Sequence, residues 1–340
     1  MKRLLNTLYV TTQGAYLSKE GETVLVRVEQ ERRLQIPIHT LTGIVCFGQV
    51  SCSPPLMGFC AEKDVAVSFL TENGKFLARV QGPVNGNVLL RREQYRHADD
   101  EVGSNTIARA VVQAKLANCR TVLLRAARKN GENTAIKEAA GRLSRSVEML
   151  ERTQLVDATR GVEGDGARTY FSVFDHLITT SKEHFFFRER SRRPPLDNMN
   201  ALLSFLYTLL VHDISGALES VGLDPAVGFL HRDRPGRQGL ALDLMEELRP
   251  VLADRVALSL INRRQIDGDG FNTLEAGGVV MNDTTRKEVL LAWQKRKQEE
   301  IQHPFLGEKI SFGLVPYAQA LLLARHLRGD LDAYPAFFWR

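Results

Sequence analysis

The residues best suited to chemistry lie in one stretch, Gly228 to Arg249, GFLHRDRPGRQGLALDLMEELR. His231 follows a short apolar run, a loop rich in Arg and Gly comes next, and an amphipathic segment then carries Asp243, Glu246 and Glu247. Acids spaced this way share one helical face, while Leu244, Met245 and Leu248 point elsewhere. Carboxylates packed so closely repel one another unless a cation or basic group sits among them. An imidazole combined with carboxylates is a donor set for Mg, Mn or Zn. The same pattern also describes a solvated acidic helix face beside an unrelated histidine. Taken alone, the segment favours that second reading.

A further acid lies earlier, in RGVEGDGARTYFSVFDHL (160–177). Glu163 is expected to head a helix whose face continues through Ala167, Tyr170 and Phe174. The macrodipole alone favours an acid in a first turn. The unusual feature is Gly161, Gly164 and Gly166 crowded around it. Each glycine weakens a helix by about 1 kcal/mol, so their use implies that something approaches the backbone closely. A phosphate backbone would qualify.

Basic residues accompany the acids. Arg232, Arg234 and Arg237 lie directly between His231 and the acidic helix, where a phosphate held by a metal would need neutralising. FFFRERSRR (185–193) interleaves aromatics with Arg188, Arg190, Arg192 and Arg193, as either a phosphate clamp or a solvated loop beside an apolar anchor would. Lys295, Arg296 and Lys297 read as a helix face, and His212 with Asp213 as a polar seam. Walker, GxGxxG, GxSxG and HExxH patterns are absent from the sequence.

The elements that must position these groups fall into two classes. With 340 residues, 44% hydrophobic and 25% charged, the chain is long enough for two globular domains. A net charge of +5 permits a polyanionic partner without requiring one. Cys46, Cys52, Cys60 and Cys119 show no CxxC spacing and read as small buried residues in a reducing compartment. MKRLLNTLYVTT is interrupted by polar residues and reads as a first strand rather than a signal peptide. No run approaching the ~18 apolar residues of a membrane span is evident, so a cytoplasmic protein is expected.

Residues 1 to about 80 are β-rich, with strands at 23–29, 34–38, 43–47 and 65–70, a hairpin turn at 19–22, and a short helix, Leu56 to Glu62, opened by Pro54 and Pro55. The turn-rich Gly82 to Gly86 is expected to begin an interdomain link. Beyond it the apolar period is helical, over 106–117, 135–155 and 201–218. Thr285 with Glu288 forms a capping box, and Pro316 and Gly329 bracket a last helix. Arg188 to Pro195 and Gly268 to Gly278 are expected to be poorly ordered loops. The fold class is α+β: a small N-terminal β domain (1–84), a linker (85–104) and a larger all-α domain (105–340) containing the acids.

These blocks together resemble a known family, the CRISPR-associated integrase/endonuclease, the universal protein of spacer acquisition. The resemblance spans nearly the whole chain: GPVNGNVLLRREQY (82–95), AKLANCRTVLLR (114–125), RGVEGDGARTYF (160–171), PPLDNMNALLSFLYTLL (194–210) and DPAVGFLHRDRPGRQGLALDLMEELRP (224–250) occur in the family order. The closing YPAFFWR (334–340) is similar to the branch that accompanies I-C type systems.

The resemblance implies a β domain that mediates dimerisation and an α-helical catalytic domain. It implies a Mg2+ or Mn2+ ion held by Glu163, His231 and Glu246, with Asp243 and Glu247 close enough to share or support the third role. It implies an enzyme that inserts new spacer DNA into a CRISPR array by transesterification, in antiviral defence. Its partners would be double-stranded and branched DNA and a small adaptation subunit bridging two homodimers. Two other classes stay open: a non-catalytic DNA-binding scaffold, and a stand-alone repair nuclease for branched DNA.

Overall fold

The computed structural model describes residues 6–72, 76–80, 82, 88–130 and 133–339. Of the turn-rich Gly82 to Gly86 only Gly82 is described, and from Val88 onward the expected linker 85–104 is helical apart from a break at Asp100. The chain divides into two units, Met1–Asn85 with Arg286–Glu300 and Ser311–Leu314, and Gly86–Thr285 with Ile301–Ile310 and Val315–Arg340.

The first unit opens with β1 (Asn6–Val10), β2 (Tyr16–Glu20), β3 (Thr23–Val28), β4 (Glu31–Pro37), β5 (Leu41–Phe47), β6 (Ser51–Cys52), α1 (Pro54–Glu62), β7 (Ala66–Leu70) and β8 (Phe76–Val80). One sheet runs β1-β5-β7-β8, its first three strands parallel and β8 antiparallel. The other runs β4-β3-β2-β6, with only β2 and β6 parallel. The hairpin turn between β2 and β3 needs a left-handed residue, which Gly21 supplies at φ 58°. Ser53 Oγ accepts the Leu56 N–H at 3.3 Å, and Pro54 fits the first helical position that follows. Leu17, Val24, Ile38, Ile44, Cys46, Leu56 and Phe59 are among the buried side chains of its core. All four cysteines are free, and Cys46, Cys60 and Cys119 are buried.

The chain then continues through α2 (Val88–Asp99), α3 (Glu101–Asn130), α4 (Thr134–Leu150), α5 (Val156–Ser172), α6 (Asn198–Ser220), α7 (Gly239–Leu248) and α8 (Arg255–Asn262). After these come β9 (Phe271–Thr273), β10 (Val279–Met281), α9 (Asp283–Gln298), β11 (Glu300–Gln302), β12 (Lys309–Ser311) and α10 (Val315–Leu327). The architecture is thus a β-rich N-terminal region followed by an α-helical one, which is not all-α as expected because β9 pairs with β10 and β11 with β12. In the second unit α4, α5 and α7 all pack on the long α3. Among the described residues one helix, α6, is long and apolar enough to cross a membrane by composition, but 67% of its most apolar window is buried inside the protein. It carries Leu202, Leu203, Leu206 and Leu210 into the core.

Four local expectations change. The expected helix 135–155 stops at Leu150, where Thr153 Oγ1 donates to the Leu150 carbonyl at 2.8 Å. A new helix starts at Val156, whose N–H is capped by Glu101 Oε1 at 2.7 Å. Asn282, not Thr285, caps α9: its Oδ1 accepts the Thr285 N–H at 2.9 Å. Gly268 to Gly278 holds a short helical turn and β9, which pairs antiparallel with β10. Arg188 to Pro195 is irregular but tied down, with Arg190 donating to Asn200 Oδ1 at 2.7 Å.

Candidate metal centre

Glu163 does not head its helix. α5 begins at Val156, roughly two turns earlier, so Glu163 sits mid-helix and the macrodipole no longer accounts for it. The surrounding glycines divide into two kinds. A Cβ on Gly166 would lie 2.2 Å from Leu116 Cδ2, so this glycine lets α5 close onto α3. A Cβ on Gly161 or Gly164 would meet nothing within 4 Å. The backbone there is open, as an approaching chain would need.

The acidic helix is not a solvated face. Asp243, Glu246 and Glu247 are 1%, 3% and 0% exposed. Carboxylates buried to this degree must be paired, and each is paired differently. Asp243 accepts from the backbone N–H groups of Phe229, Leu230 and His231 at 2.6, 2.9 and 3.0 Å, and from His231 Nδ1 at 2.7 Å. This clamp requires the 228–231 loop to lie on the first turn of α7. Two glycines permit it: a Cβ on Gly228 would stand 2.6 Å from the Gly239 backbone, and one on Gly239 would stand 2.7 Å from the Ala226 carbonyl. Glu247 turns toward the chain's end, where it accepts from Tyr334 OH at 2.7 Å, Phe337 N–H at 2.7 Å and Gln319 Nε2 at 3.1 Å. Burial pushes its carboxyl up to about 7 despite those bonds.

Glu246 faces charges instead. Its Oε2 is 2.7 Å from the Lys115 ammonium and its Oε1 is 3.1 Å from Arg249 Nη2. Lys115 also binds Glu163 Oε1, so one buried ammonium from α3 joins acids from α5 and α7. Burial would raise the Glu246 carboxyl, but Arg249, Lys115 and then His231 outweigh it and hold it at about 2. Burial likewise opposes the charge on Lys115, and the two glutamates overcome that. Arg249 is supported from below by the Tyr207 ring, 4.6 Å from its guanidinium. Tyr207 OH in turn donates to Asp254 Oδ1 at 2.6 Å, and Tyr170 OH to Asp254 Oδ2 at 3.1 Å.

Among the described residues, no group of three or more His, Cys, Asp or Glu side chains stands close enough together to hold a metal ion as it is. Glu163 and Glu246 meet through the Lys115 ammonium rather than directly. The donor chemistry nevertheless fits a hard divalent ion. Glu246 Oε2 is buried beside a cation yet has no well-directed hydrogen bond. With His231 Nδ1 engaged by Asp243, the ring's other nitrogen is the one left for a ligand. Lys115 and Arg249 were not among the sequence candidates. The signal for Lys115 was present: it lies one helical turn from Val111 and Val112 and from Cys119, all buried, so a lysine occupies an apolar stripe.

The basic stretches divide as well. Arg190 is turned inward, with its guanidinium 5.3 Å from the Tyr207 ring, and Phe185 and Phe187 are core residues. Arg188 lies over Phe186. Arg232 pairs with the exposed Asp157, and Arg160 binds the Leu230 carbonyl. A cleft of about 230 Å3 opens beside His231, lined in part by Asp99, Glu101, Asp157, Arg160 and Arg232. Lys297 is buried, 3.3 Å from Thr7 Oγ1, and so is not part of a solvated helix face.

Comparison with known proteins identifies the family of the chain. A family model described as "CRISPR associated protein Cas1" matches residues 8–295. A relative from Chlorobaculum tepidum, "CRISPR-associated endonuclease Cas1 1", is 55% identical over 343 residues and covers 100% of both chains. In fold the chain is similar to a casposase bound to integration product, with TM-score 0.85, 22% identity and coverage of 99% of this chain and 95% of that one. It is also similar to a chain of a Cas6-RT-Cas1–Cas2 complex, with TM-score 0.82, 22% identity and coverage of 99% and 36%. A family model over residues 8–295 and 55% identity across the full length of a relative leave one conclusion: the chain belongs to the Cas1 family of CRISPR-associated proteins.

Proposed function

We propose that this protein is a metal-dependent DNA endonuclease and integrase that inserts new spacer DNA into a CRISPR array. The observation that carries the site assignment is the convergence of Glu163 and Glu246, from separate helices, on one buried cation position. Glu163, Glu246 and His231 would hold the ion, Mg2+ or Mn2+. When bound, it supplies positive charge against that developing on the phosphate and the departing oxygen. Asp243 fixes the imidazole by accepting from Nδ1 and keeps the loop backbone in place. Arg249 keeps Glu246 ionised and oriented. Arg232, Arg234 and Arg237 are assigned to nearby phosphates.

The nucleophile is the 3′-hydroxyl of incoming DNA in integration, or water in cleavage. In integration one phosphodiester forms as another breaks and a strand hydroxyl leaves, and in cleavage water leaves a phosphate monoester and a hydroxyl, so neither reaction requires a nucleotide triphosphate. The wider reading assigns residues 1–84 to dimerisation, 85–104 to a linker and 105–340 to catalysis. It adds a small Cas2-like subunit bridging two homodimers and a cytoplasmic setting.

The test is strand transfer on branched DNA with Mn2+. Glu163→Gln, His231→Ala and Glu246→Gln are each expected to lose activity by about 100-fold or more. Full strand transfer by any one removes that residue from the site. A wild-type protein that binds DNA equally with chelator and never joins or cuts strands would instead be the scaffold.

A further inference from the structure

Lys115 is a lysine only 4% exposed, on the buried face of α3, between two carboxylates from other helices. Burying an ammonium costs several kcal/mol unless opposite charge and hydrogen bonds compensate. Two glutamates converging at this depth face the converse cost, because like charges cannot share a buried site without a cation between them. Each side of the arrangement is thus explained by the other. The stripe also has an apolar solution: Val111, Val112, Leu116 and Cys119 around it are all buried. A hydrophobic residue would pack there, so the charge itself is what the position uses.

The ammonium stands where the two carboxylates can be bridged, and it is a weak form of bridge. It is a single charge on a flexible four-carbon stem with rotatable donors. Glu246 keeps a second partner, Arg249, on its other oxygen, so moving Lys115 does not strip that carboxylate of charge compensation. Glu163 is 25% exposed, which gives the pair an open side. The open backbone at Gly161 and Gly164 lies on the same helix.

We propose that Lys115 is the counter-cation of the metal-free centre, and that a divalent ion binds Glu163 and Glu246 by displacing its ammonium from between them. The proposal rests on the assignment of these two glutamates as metal ligands. It makes Lys115 a positioning residue that holds the acids in register until the metal arrives and sets the affinity by competing with it.

The experiment measures Mn2+ binding and thermal unfolding of full-length wild type, Lys115→Met and Glu163→Gln without DNA. Lys115→Met is expected to bind Mn2+ at least tenfold more tightly than wild type. Its melting temperature is expected to be lower without metal and to rise more on adding Mn2+. Glu163→Gln is expected to lose binding. If Glu163→Gln loses binding but Lys115→Met binds Mn2+ no better than wild type, the displacement proposal falls and the ligand assignment stands. If Glu163→Gln binds like wild type, the ligand assignment itself fails, and this proposal with it. Should Lys115→Met not fold, Lys115→Gln keeps hydrogen bonding without the charge, and the same two outcomes decide.

Discussion

At the scale of single residues, burial changes the meaning of the acids on α7. Asp243, Glu246 and Glu247 are neighbours in sequence, yet each serves a different partner. Asp243 should act through His231 rather than by binding metal. Asp243→Ala is expected to unfasten three backbone N–H groups and the imidazole together, lowering Mn2+ affinity about 10–100-fold with a lower melting temperature. Unchanged Mn2+ affinity in a folded variant would contradict that role. Asp254 offers a pH test away from the ligands. Burial raises its carboxyl to about 6, although Tyr207, Arg249, Tyr170 and Arg190 pull it back. A folded-state value above the unfolded one means that the protonated form favours folding. That contribution is complete below the ordinary value of 3.8 and is lost as pH rises through 6. Wild type should therefore lose up to about 3 kcal/mol of stability relative to Asp254→Asn between pH 4 and pH 7, measured by denaturant unfolding at both.

At the scale of elements, α3 is the support on which α5 and α7 bring their acids together. The α3–α5 contact depends on Gly166, against which Leu116 packs. Gly166→Val should destabilise by about 2–3 kcal/mol and weaken Mn2+ binding, because it pushes Glu163 away from α7. Gly161→Ala and Gly164→Ala should each stabilise by about 0.5–1 kcal/mol, since added methyls meet open space in a helix. If a phosphate backbone approaches there, the same two variants should bind DNA more weakly while unfolding at higher temperature. Paired DNA-binding and melting curves separate the two effects. The last segment of chain is a second support. Tyr334 and Phe337 bind Glu247, and Asn118 Nδ2 donates to the Phe337 carbonyl at 2.8 Å, so the tail is held by α7 and α3 at once.

At the scale of the whole molecule, the metal-free centre is close to charge balance. Glu163 and Glu246 are met by Lys115 and Arg249. Removing metal should therefore leave the protein folded. With EDTA, strand transfer should stop while far-UV circular dichroism stays unchanged. DNA binding should persist and weaken with salt, as expected for contacts dominated by phosphates. Unfolding on chelation would mean that the ion, rather than Lys115, holds the helices together.

The sequence by itself determined the β-then-α order, because periods of two and of about 3.6 residues are written into it, and it marked the acids and the histidine by their local company. The family blocks were equally legible. Whether Glu163 heads a helix was not, because the start of α5 depends on Glu101 from another helix capping Val156. Spacing put Asp243, Glu246 and Glu247 on one face but could not rank them. The partners of Glu246 and Glu247 at residues 115 and 334–337 lie far away in sequence, and the nearer His231 and Arg249 do not reveal which acid each will meet. Tertiary structure alone decided which carboxylate meets an imidazole, which a tail and which an ammonium, because desolvation and pairing act only once the helices have packed.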